Sequence, residues 1–164
     1  MNKTTEAVIQ TTNEMIQNLF IETSWSRNMR SLLCNSMVTG EDSPEAWGWI
    51  FSMIPKEISG TDEQVSIEEK AIYLALCLYA ATAGDRTADC TMVEAMKYLD
   101  MDRIQLTQIE LSENLDDMRI PLYMLGQRIV SKGRAFNYAK LAGDLYLFQM
   151  DKMKVIRKWE REFI

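Results

Sequence analysis

The side chains best able to do chemistry in this chain are carboxylates, three thiols and several clustered cations, because its 164 residues include no histidine. Without imidazole the chain lacks the commonest general base near neutral pH, the usual activator of a nucleophile and the commonest zinc ligand. Helical di-iron centres built on Glu-x-x-His pairs are excluded for the same reason. Neither Gly-x-x-x-x-Gly-Lys-Ser/Thr nor Gly-x-Gly-x-x-Gly occurs, so the familiar glycine-rich phosphate cradles are missing. Adjacent acids stand at Glu41/Asp42, Glu68/Glu69 and Asp116/Asp117, and such pairs can in principle hold magnesium or move protons. The last two pairs fall in expected first helical turns, where acids complement the helix dipole, and that structural role is the simpler reading. Cys34, Cys77 and Cys90 are odd in number and far apart, and Cys77 lies in the apolar run "AIYLALCLYAA". They read as unpaired core or surface thiols in a reducing compartment. The expectation is a non-enzymatic protein with no cofactor and no metal.

The cations are better organised than the acids. At about 100° per residue, Val155, Ile156, Trp159 and Phe163 gather on one face of the last expected helix, while Lys154, Arg157, Lys158 and Arg161 gather on the opposite face. Glu160 and Glu162 fall at the flanks between them. A solvated outer face usually mixes both signs, so four like charges over about two turns suggest an anionic partner. Arg128 and Lys132 are four apart with Arg134 just beyond, and Arg27 and Arg30 are three apart beside Trp25, Met29, Leu32 and Leu33. Lysines and arginines so placed contact phosphates, which gives affinity without base preference. The nucleic-acid-binding candidates are therefore Arg27, Arg30, Arg128, Lys132, Arg134, Lys154, Arg157, Lys158 and Arg161. Trp25, Trp47, Trp49 and Trp159 can stack on bases in principle, yet their helical registers favour core or subunit contact.

Net charge sharpens this reading. The total of −6 argues against a polyanionic partner, but it averages two unlike segments. Residues 1–118 carry 8 Lys/Arg against 20 Asp/Glu, whereas residues 119–164 carry 10 against 4. An asymmetry of this size points to an electrostatic partner for one part, or to neutralisation of one segment by the other within the fold.

The elements that must position these groups are helices. Apolar residues recur at helical spacing throughout, strand alternation is absent, and the 3 prolines and 7 glycines sit mostly at expected helix ends. Helices are expected over "TTEAVIQTTNEMIQNLFIET", "SWSRNMRSLLCNSMV" and "SPEAWGWIFSMI", the third capped by Ser43 with Pro44 at its first position. A Ser66/Glu69 capping box opens "SIEEKAIYLALCLYAATAG", which is apolar nearly all round, ends near Gly84 and reads as the central helix. Thr91/Glu94 repeats the box, another helix follows over 102–110, and Asn114 caps "LDDMRI", which Pro121 kinks or restarts. Asn137 and Asp151 cap the last two helices, and "SGTDEQ" at 59–64 is the clearest loop. The sum is an all-α, single-domain bundle of eight or nine helices over residues 1–164. No apolar run approaches the roughly 18 residues of a membrane span, and "MNKTTEAVIQTTNEMIQ" lacks a signal-peptide pattern, so a cytoplasmic location is expected.

The order of motifs in the C-terminal third resembles the CasB family, the small subunit of the type I-E CRISPR surveillance complex Cascade. The family's Leu-Asp/Glu-x-Leu helix opening is matched at Leu115 to Met118, its Lys/Arg-Gly turn at Lys132-Gly133, its Asp-Leu-bearing helix at Asn137 to Leu145, and its closing W-x-R-x-F at Trp159 to Phe163. Upstream, "SRNMRSLL", "SPEAWGWIFSMIP" and "AIYLALCLYAA" fall where the family has an Arg-rich helix, a helical segment and an apolar central helix. The sequence departs at Thr91 to Met96, which lacks the family's glycine, and at Ile104-Gln105, where paired arginines are usual and only Arg103 is near. The resemblance implies a non-enzymatic subunit present in two copies, contacting other Cascade subunits, supporting guide RNA and stabilising target and displaced DNA in antiviral defence. A helical protein–protein adaptor without nucleic-acid contact is the alternative.

Overall fold

The computed structural model describes residues 2–83 and 88–164. Among these it is all helical, a single-domain bundle of nine α-helices with no strand. The helices are α1 (Lys3–Phe20), α2 (Ser24–Thr39), α3 (Pro44–Met53), α4 (Ile67–Leu78), α5 (Met92–Tyr98), α6 (Ile104–Glu110), α7 (Leu115–Ser131), α8 (Tyr138–Met150) and α9 (Lys152–Phe163). A short 3₁₀ turn, Lys56–Ile58, precedes α4, and a wider π turn, Tyr79–Ala83, continues it. The end of the central helix expected near Gly84 lies outside the described residues.

The helix starts follow the local chemistry of the sequence. Ser43, Asn114, Asn137 and Asp151 each accept from a backbone N–H of the first turn, and Ser66/Glu69 and Thr91/Glu94 form reciprocal boxes. Glu69 does more than close its box. Its buried Oε1 accepts from Ser66 N at 2.8 Å and from Gly60 N at 3.0 Å, which ties the 59–64 loop to the start of α4. A Cβ at Gly60 would stand 2.6 Å from that oxygen, so the loop closes only around glycine. Pro121 does not restart the helix, because α7 runs continuously across it. A proline at this interior position removes the bond that its N–H would donate to the carbonyl of Asp117, and its ring crowds that same carbonyl.

Helix α4 is the centre of the bundle, with α1, α2, α7 and α8 packed round it and Ala71, Ile72, Ala75, Leu76 and Leu78 fully buried. The most extensive pairing is between α1 and α8. It depends on Gly143, where a Cβ would meet the Ile9 side chain at 2.7 Å. Thr12 in the same layer is wholly buried and donates its hydroxyl to the Val8 carbonyl at 2.7 Å, so this hydroxyl is not left unmet. The closing helix α9 packs on α8 and α5.

Candidate nucleic-acid interface

Helix α9 owes its orientation to two buried side chains. Val155 and Trp159 are each 1% exposed, and burying an indole of this kind contributes about 3–5 kcal/mol relative to alanine. Trp159 stacks on Phe148 of α8, and its Nε1–H donates to Asp144 Oδ2 at 2.9 Å. The other oxygen of Asp144 accepts from Lys158 Nζ at 2.7 Å. Asp144 is 5% exposed, so this carboxylate is buried with one neutral and one charged donor. Sequence reasoning assigned it no role. The signal was present in "NYAKLAGDLYLF", where a lone acid within a buried apolar run needs a partner.

This contact revises the expected basic stripe. Lys154, Arg157 and Arg161 are exposed on the face opposite Trp159, as the helical spacing required, whereas Lys158 lies at the side, where it and Trp159 reach the same carboxylate. Lys158 spends its charge on Asp144 and cannot be replaced as an inert surface residue. Lys154, Arg157 and Arg161 carry no ion pair among the described residues. Together with Lys158, Leu147 and Glu162 they line a shallow depression of about 480 Å³.

The flanking acids of α9 form no ion pair with the stripe among the described residues, although Glu162 lines the same depression. Glu160 pairs with Arg103, whose guanidinium also lies 3.9 Å from Glu110. Burial, aided by the hydrogen bonding and charge of Glu160, pushes the Glu110 carboxyl up to about 7, with Arg103 opposing. Glu162 accepts from the Thr91 hydroxyl at 3.2 Å, and burial raises its carboxyl above the usual range. Arg103, the cation next in sequence to the position of the family's paired arginines, is thus engaged by acids of its own fold.

The remaining candidates divide. Arg30 donates to Glu22 at 2.9 Å and Arg27 lies 3.7 Å from the same carboxylate, which both arginines hold below the usual range. Arg128 donates to the amide oxygen of the buried Gln105 at 2.9 Å, and Arg134 lies 3.7 Å over the Tyr98 ring. Lys132 is exposed with no ion pair among the described residues. The structure therefore brings the α9 cations together but leaves Arg27 and Arg30 on α2, whose main neighbours are α4, the π turn, α1 and α3. Of the tryptophans only Trp159 is in the core; Trp47 and Trp49 are partly buried against it and Trp25 is 45% exposed. Trp47 stacks on Tyr73 with centroids 4.1 Å apart, and Trp25 meets Trp49 edge to face.

No catalytic constellation accompanies these cations among the described residues. There, no group of three or more thiols and carboxylates is placed to hold a metal ion. The three cysteines are free thiols, and burial raises that of Cys77 far above its ordinary value. No helix among the described residues is long and apolar enough to cross a membrane.

Residues 30–163 match the model of the family described as CRISPR-associated protein Cse2. The chain belongs to that family. As a Cse2/CasB member it is a non-catalytic subunit of a type I CRISPR Cascade complex. Its fold is similar to that of CasB from Thermobifida fusca, with a TM-score of 0.73 at 17% identity over 99% of this chain and 98% of the other. A Cse2-family CRISPR-associated protein from Thermus thermophilus gives a TM-score of 0.66 at 18% identity over the same shares. No curated protein sequence matches the chain.

Proposed function

We propose that this Cse2-family subunit binds nucleic acid through phosphate contacts along α9, supporting guide RNA and stabilising target and displaced DNA in antiviral defence. The observation that carries the reading is the row Lys154, Arg157 and Arg161, exposed and without an ion pair among the described residues, opposite a buried Trp159. Cations held on a rigid helix and not neutralised by the fold retain their attraction for phosphate. Lys132 adds a further uncommitted charge, whereas Lys158, Arg27, Arg30, Arg128 and Arg134 take part only if they exchange the partners they now hold. The partners in this reading are the other Cascade subunits and a second copy of the chain, in the cytoplasm.

The test is the Arg157→Glu/Arg161→Glu double variant, assembled into the guide-RNA-containing complex and titrated with salt. Retention of nucleic acid should weaken, and the log–log salt slope should flatten by roughly 0.7–0.9 for each phosphate that is no longer neutralised. An unchanged slope with full retention would remove α9 from the interface. That result would favour the second reading, an adaptor joining protein subunits. Its support is that Arg27, Arg30, Arg103 and Lys158 are all paired internally while residues 1–118 keep a large acidic excess.

A further inference from the structure

Beside the basic row lies a groove of about 840 Å³ between α1, α8 and α9. Its size falls within the range of about 300–1,000 Å³ typical of small-ligand sites. The groove and the α9 depression share Leu147, Lys154 and Lys158, so the two concavities adjoin. Their electrostatics differ. The depression carries four cations and one acid, whereas the groove sets Lys140, Lys154 and Lys158 against Glu6, Asp89 and Asp144 and is balanced. Two of those lysines are already engaged, Lys158 by Asp144 and Lys140 by the Asp89 carbonyl at 2.7 Å.

The lining fits an uncharged, flat, polar-edged group. Ile9, Ala139 and Leu147 supply apolar surface. Gln10 and Asn13, three apart on α1, are exposed, and their amides have no hydrogen-bond partner among the described residues. An amide offers both a donor and an acceptor, the combination that meets the edge of a nucleobase. A nucleotide has this same division, a neutral heterocycle attached to an anionic phosphate, and the neutral groove adjoins the basic depression in the matching order.

We propose that the groove between α1, α8 and α9 receives an unpaired base of a single strand whose phosphates lie along α9. This rests on the phosphate-binding role proposed above. Contact then extends beyond the backbone, and Gln10 and Asn13 determine how tightly an unpaired strand is held relative to a bare phosphate chain.

The experiment compares an oligodeoxynucleotide with an abasic strand of equal length, each titrated at low salt against the full-length chain by fluorescence anisotropy. The intact strand should bind about tenfold more tightly, the scale of one amide pairing with a base edge. Gln10→Ala/Asn13→Ala should reduce it to the abasic level and leave abasic binding and the melting temperature unchanged. Arg157→Glu/Arg161→Glu should weaken both strands alike. Equal binding of both strands by the unaltered chain, abolished in the α9 variant, would overturn the base site and leave the phosphate reading standing. Absence of binding to either strand would overturn both.

Discussion

Helices α2 and α9 each present arginines three or four residues apart, yet the fold treats them in opposite ways. On α2, Arg27 and Arg30 converge on Glu22, just before the helix begins. On α9, Glu160 is taken up by Arg103 and Glu162 accepts from Thr91 while still lining the depression, and neither forms an ion pair with Arg157 or Arg161 among the described residues. What matters for an anionic partner is therefore charge that the fold has not already used. A cation count by segment measures supply, and only the tertiary structure reveals how much of it remains available.

The largest effect should come from the anchor that orients α9. Asp144→Ala leaves the buried Trp159 N–H without an acceptor and Lys158 without its partner. A loss of about 3 kcal/mol is expected in urea unfolding, discounted because Lys158 is 45% exposed and can return to water. Arg157→Glu/Arg161→Glu, by contrast, should stay within about 0.5 kcal/mol, as for other surface changes. If the two variants proved equally stable, Asp144 would not be what seats the helix.

Next in size is the pH dependence of the underside of α9. Glu110 titrates near 7 in the folded chain against an ordinary 4.5, so the folded state binds a proton more readily than the unfolded state. Stability should therefore fall as pH rises from about 4.5 to about 7 and level off above that, with no further loss from this group. Melting temperatures measured from about pH 5 to about pH 8 should decline, and Glu110→Gln should flatten the decline and raise the melting temperature at the alkaline end. A pH profile identical in the variant would assign the titration elsewhere, with Glu162 the first alternative.

The smallest effect should follow from releasing the α2 pair. Glu22→Gln removes the carboxylate that holds Arg27 and Arg30, and the assembled complex should then retain nucleic acid slightly better, with a steeper salt slope. No change in slope would mean that α2 faces away from the strand, and the contrast between the two helices would be one of location as well as of neutralisation.

Much of this was legible in the residues. Capping residues and apolar spacing are local, acting over three or four positions, and they predicted the helices and their starts at Ser43, Ser66, Thr91, Asn114, Asn137 and Asp151. The same short-range periodicity placed Trp159 inward and Arg157 and Arg161 outward. The order of motifs along the C-terminal third sufficed to indicate the family that the match over residues 30–163 establishes. Only the tertiary structure decided which charges neutralise one another. Asp144 reaches Lys158 across 14 residues, Arg103 on the edge of α6 reaches Glu160 on α9, and Arg128 reaches Gln105 across 23. An ion pair depends on the distance between two side chains in space, and for helices packed from distant parts of the chain no spacing along the sequence encodes that distance.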